Sequence, residues 1–137
     1  MILFIDDYSS CKKTFVTLCV YHEYKNIELV SELLGIDPTR VCNKGDKRHI
    51  KKNGWFYTTK DLIESRDVRR HLYFLTDKLD GKYIEISKLK SMGFEIFIMC
   101  FWESSTGNGG PMLNSSLMGK LYLLGLDLDF DIWIGNE

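Results

Sequence analysis

Arg40, Lys44, Gly45 and Asp46 follow a helical pattern and its Asp37-Pro38 turn, and are the first residues that look able to hold a ligand. Arginine presents a planar fork that suits a carboxylate or phosphate. The competing account is a tight turn at Gly45, with Asp46 accepting local backbone hydrogen bonds, and the short spacing favours it. The basic run from Lys44 to Lys52 leads into Trp55, Phe56 and Tyr57. In a nucleic-acid surface such an order lets lysines neutralise phosphates while aromatics stack on bases. The formal net charge of -1 and the lack of an RNP1-type motif argue against nucleic acid and for a solvated hairpin tip.

Asp127, Asp129 and Asp131 alternate along one face of the C-terminal segment and invite a metal. An EF-hand loop needs Gly at its sixth position and Glu at its twelfth; Ile132 stands at the sixth, and the sequence stops before the twelfth. Charges that protect a solvent-facing edge strand explain the same residues. His22, His49 and His71 stand far apart, and His71, at the margin of an apolar stripe, is expected on a helix surface. Ser104 and Ser105 lack the GxSxG setting of a nucleophile elbow. The TGNGG loop lacks the Lys-Ser/Thr of a P-loop. No catalytic residues, metal ligands or cofactor are therefore expected, and the protein is expected to be no enzyme.

The elements that would position any site follow from periodicity. Phe94–Glu103, FEIFIMCFWE, is almost continuously apolar, too short to span a bilayer and rich in strand formers. It reads as an interior strand, with Ile96, Ile98 and Cys100 on one face and Phe97, Met99 and Phe101 on the other. Phe15 to His22 alternates as a first strand. A helix capped by Asn26 ends at Gly35, Thr39 to Cys42 form a short strand, and Trp55 to Thr59 close a hairpin. Asp67 caps the longest helical stripe, Val68, Leu72, Leu75 and Leu79, and Asp80-Gly81 separates it from a second helix ending at Gly93. A helix through Leu117, Leu121 and Leu124 and a final strand to Ile134 complete the chain, with Leu128, Phe130, Ile132 and Ile134 expected toward the helices.

This order predicts an α+β fold, a mixed β-sheet with helices mainly on one face. Its first part follows a ferredoxin-like βαββαβ unit, extended by a C-terminal helix and strand. The 137 residues predict a single domain, 1-137, with 1-13 a candidate N-terminal arm. A hydrophobic fraction of 45% against 27% charged residues excludes a disordered chain. The apolar start lacks a basic lead, and no run is long enough to cross a membrane. Four irregularly spaced cysteines in a chain without an export signal are expected as free thiols, and the expected location is cytoplasmic.

Leu33-Leu34-Gly35-Ile36-Asp37-Pro38-Thr39-Arg40, then Lys44-Gly45-Asp46, then Gly54-Trp55, resemble the signature of the bacterial family called domain of unknown function 4279. The C-terminal stretch from Leu117 to Ile134 is similar to that family's ending. The resemblance implies a fold and no catalytic residues. Small bacterial families of this kind often lie beside toxin genes as immunity proteins, so it also implies a toxin as a candidate partner.

The strongest binding feature is aromatic. Phe97, Met99 and Phe101 face away from the expected helices, with Trp133 outside on the last strand, and an open patch of that size marks an interface. Either it binds, or the arm bearing Ile2, Leu3, Phe4 and Ile5, or a loop, covers it. The expected function is a protein-binding module, in its most concrete form an immunity-type protein that neutralises a toxin, with a protein partner or a second copy as occupant and neither membrane nor nucleic acid. The alternative is a small-ligand or nucleotide-binding module that uses the open sheet face or the Arg40-to-Asp46 turn. The candidate binding residues are Phe97, Met99, Phe101, Trp133, Arg40, Asp46 and Trp55.

Overall fold

A computed structural model describes residues 2–134. Five strands and four helices follow one another as β1 (Cys11–His22), α1 (Glu28–Leu34), β2 (Arg40–Cys42), β3 (Asn53–Thr58), α2 (Val68–Lys78), α3 (Tyr83–Ser91), β4 (Glu95–Ser104), α4 (Ser115–Leu124) and β5 (Asp127–Ile134). The strands form one sheet in the order β2-β3-β1-β4-β5. The first four pair antiparallel with one another, whereas β5 runs parallel to β4 after the α4 crossover. The fold is thus α+β with a mixed sheet, and β4 is an interior strand between β1 and β5.

Alternation divides the sheet cleanly. Val16, Leu18 and Val20 of β1 and Ile96, Ile98 and Cys100 of β4 are buried beneath the helices. The helices complete this core with Val30, Leu72, Leu75, Ile86, Leu89 and Leu117, one stripe from each. Asn114 caps α4 by accepting from the Leu117 N–H, and Gly125 at φ 73° ends it in the left-handed conformation that favours glycine. The α1 cap is displaced by one residue from the sequence expectation. Ile27 holds the cap position, while Asn26 Oδ1 accepts from the Glu28 N–H at 2.9 Å.

Two polar clusters fasten α2, one to the sheet and one to the N-terminal arm. His71 is buried, which corrects its expected surface position. Its Nδ1 lies 2.6 Å from Thr59 Oγ1 and its Nε2 lies 2.9 Å from the Ser65 carbonyl oxygen. A carbonyl only accepts, so Nε2 carries the proton and Nδ1 accepts from the Thr59 hydroxyl. Burial lowers the His71 pKa and keeps the ring neutral. Thr59 in turn accepts the Val16 N–H of β1. The second cluster centres on Asp67, which caps α2 and accepts from the Ile5 N–H at 2.8 Å.

The cysteines are free thiols. Burial pushes Cys11 and Cys19 up to about 11 and Cys100 up to about 12. The reactive species is the thiolate, so these three stay inert near neutrality. Cys42, on the short β2, is the more accessible thiol. Alkylation of the native protein is expected to modify Cys42 first and the other three only after unfolding, as read by mass spectrometry. Equal labelling of all four under native conditions would contradict this packing.

Candidate functional site

The sheet face opposite the helices carries the candidate site. Its rows follow from register: Phe15 pairs with Phe101, Thr17 with Met99 and Cys19 with Phe97 across β1 and β4. Across β4 and β5, Phe97 pairs with Asp127, Met99 with Asp129 and Phe101 with Asp131. On the other side Cys19 pairs with Phe56, and Phe56 with Arg40. The outcome is an aromatic centre with one acidic rim and one basic rim.

Phe97, Met99 and Phe101 are half-buried, largely by one another and by β1. Phe15 stacks on Phe101 with centroids 4.8 Å apart, and Tyr21 stacks on Phe97 at 6.1 Å and meets Phe56 edge-on at 5.4 Å. The N-terminal arm does not cover these rings. Phe4 packs instead on Tyr73 of α2 and lies under Arg70, and Asp6 accepts two hydrogen bonds from Arg70. The Arg70 and Ser65 hydrogen bonds hold the Asp6 carboxyl below its ordinary value.

On the basic side, the Arg40 guanidinium sits 4.1 Å over the Phe56 ring, a cation–π contact that orders its fork at the sheet surface. Lys52 reaches Glu95 at 3.8 Å, an exposed pair worth little energetically. Lys13 and Lys60 both approach the Phe15 ring. On the acidic side Asp127, Asp129 and Asp131 are exposed. Trp133 shares their face, and its indole N–H donates to Asp131 Oδ1 at 3.0 Å.

The sequence candidates therefore separate. Phe97, Met99, Phe101, Arg40 and Trp133 share one face of the sheet. Asp46 is engaged in its own turn, where its carboxylate accepts from the Asn43 N–H at 2.7 Å while its N–H donates to the Asn43 carbonyl. Trp55 is a correction. It is wholly buried on the helix side, opposite Val20, and its indole N–H donates to Ser31 Oγ of α1 at 2.9 Å. A side chain so placed meets no ligand at the surface; Phe56, its neighbour, points to the other face, where it is buried beneath Arg40 and Tyr21.

A family model described as Domain of unknown function (DUF4279) matches residues 11–135. The chain belongs to that family. No curated protein and no solved structure matches it. The family match takes in every strand and helix, and so the whole aromatic face with both rims.

Two features of the surface escaped sequence reasoning. A recess of about 680 Å³ opens between the arm and the loop after β3, lined by acidic and basic side chains including Asp6, Lys12, Lys60 and Arg66. Asp61 in that loop has φ 63°, a left-handed conformation that aspartate tolerates better than most residues. These charges come from segments distant in sequence, so no local signal marks them. Among the described residues, no group of His, Cys, Asp and Glu is placed to hold a metal ion, and no helix is long and apolar enough to cross a membrane.

Proposed function

We propose that this chain is a non-enzymatic binding module whose docking surface is the aromatic sheet face, and that its occupant is another protein. The observation that supports this is the uncovered row of Phe15, Phe97, Met99 and Phe101, with no second layer over it among the described residues. Rigid aromatic anchors of this kind dominate interface energetics because they bury much area at small entropic cost. The charged rims would exclude wrong partners and set the association rate. An immunity-type protein, which neutralises a toxin by occupying its surface, is the most concrete form of this proposal.

One observation favours a second reading, self-association. Asp127 and Asp129 lie on one rim and Arg40 on the other. Two sheets stacked about a twofold axis parallel to their strands would bring each acidic rim onto the partner copy's basic rim. Nothing comparable supports a nucleotide at the Arg40-to-Asp46 turn, where Asp46 is held by Asn43.

Affinity capture from the host lysate, with sedimentation of the purified chain, distinguishes these readings. The native chain is expected to capture a specific protein and to sediment as a monomer, and Phe97→Ser with Phe101→Ser to lose the capture while staying folded. A native dimer made monomeric by the double substitution would transfer the face to self-association. Unchanged capture and unchanged size would sink both.

A further inference from the structure

β5 is a free edge. All eight of its residues pair with β4 on the inner side, and no strand lies beyond it among the described residues. The outer side of such a strand is a row of unpaired backbone N–H and C=O groups that templates a further strand. Its two faces are strongly different. Asp127, Asp129 and Asp131 project on the open side of the sheet. Phe130, Ile132 and Ile134 lie on the helix side but remain exposed, Ile134 at 59%, because α4 is too short to roof them. The apolar strip continues onto Tyr122 of α4, 83% exposed, around a groove of about 590 Å³ that Met118 and Leu128 also line.

We propose that the β5 edge takes an extended segment of a partner protein by strand addition, a segment that alternates lysine or arginine with apolar residues. Strand geometry dictates the alternation. Residues of the incoming strand opposite the aspartates share their face and must be cationic, whereas the intervening ones fall beside Phe130, Ile132 and the groove and must be apolar. The same charges disfavour a second copy. An antiparallel pairing of two β5 strands centred on Phe130 sets Asp129 opposite the other copy's Asp131, and one centred on Asp131 sets that residue against itself. This site shares its aspartates with the acidic rim of the aromatic face but needs none of the aromatic rings.

The test titrates an end-blocked (Lys-Val)4 peptide, matched to the length of β5, onto the full chain at low and high salt. Three comparisons accompany it: a (Glu-Val)4 peptide, a fully N-methylated (Lys-Val)4, and the chain with D129N or D131N. Binding of (Lys-Val)4 that weakens with salt is expected, with no binding of the acidic peptide. N-methylation keeps charge and side chains but removes the backbone donors, so it should weaken binding at least about tenfold. Each aspartate substitution should weaken it roughly 2- to 5-fold. Phe97→Ser with Phe101→Ser should leave it unchanged, which separates this edge from the aromatic face. Equal binding of the N-methylated peptide would reduce the site to a charged patch, and equal binding of (Glu-Val)4 would remove the charge rule. Either result overturns the proposal, as does no binding of (Lys-Val)4 or a purified chain whose β5 amides are protected by dimerisation.

Discussion

Trp55→Ala is expected to destabilise the protein by about 3–5 kcal/mol, the cost of truncating a large, fully buried aromatic side chain. Trp55 lies between Val20 and Val41 in the sheet and carries the weight of α1 through its bond to Ser31. Its removal leaves a cavity under a seven-residue helix whose cap residue, Ile27, makes no side-chain hydrogen bond. Such a helix holds by packing, since an isolated helix of that length is unstable in water. Loss of helical signal should therefore accompany the fall in the urea midpoint. Trp55→Phe should cost much less, because it keeps most of the volume and loses one hydrogen bond. A surface binding residue would show the opposite pattern, near-normal stability and altered binding.

The second large effect is expected at Asp67. This wholly buried carboxylate accepts from the Ile5 N–H, from the Arg69 N–H, and from the Arg69 guanidinium at 2.7 Å. Burial pushes its pKa up, but the Arg69 and backbone hydrogen bonds outweigh burial and leave it below the ordinary 3.8. Asp67→Ala removes the α2 cap, unpairs Arg69 and takes away one anchor of the N-terminal arm, the bond to the Ile5 N–H. A loss of about 3 kcal/mol is expected, the low end for breaking a buried pair because Arg69 still reaches solvent. The folded-state pKa is depressed, so the contribution is full above the unfolded value and disappears as pH falls through the lower folded value. The stability gap between native and variant proteins should accordingly be wide near neutrality and close in acid. A gap independent of pH would mean that the helix cap, rather than the charge, is what Asp67 supplies.

How far the sequence could be read depended on whether a signal was local. β4 was legible because ten residues of near-continuous apolar character suit an interior strand, and α2 because its leucines recur at helical spacing beneath an Asp cap. Trp55 was not, since three adjacent aromatics on a short strand do not reveal which of them faces the helices. That depends on register with β1, a contact across more than thirty residues. His71 looked like a surface residue because its partners, Thr59 and Ser65, come from a loop whose path the helical pattern does not encode. The apolar set of β5 lies on the expected face yet stays exposed, because sheet width and the reach of α4 are tertiary quantities. The aromatic face itself was visible as alternation in β4, while the position of the N-terminal arm, which decides whether it is covered, rests on Phe4 meeting Tyr73 and Ile5 meeting Asp67.

Met99 lies at the centre of that face, and its thioether makes it a built-in reporter, because oxidation to the sulfoxide follows exposure. The most direct measurement is the extent of Met99 oxidation under a brief oxidant pulse. It is taken on the purified chain, at a concentration where it sediments as a monomer, and on the same chain in the cells that make it. The account predicts ready oxidation in the purified monomer and protection in the cell, where a protein occupies the face. Protection in the isolated monomer, or equal oxidation in both settings, would contradict it.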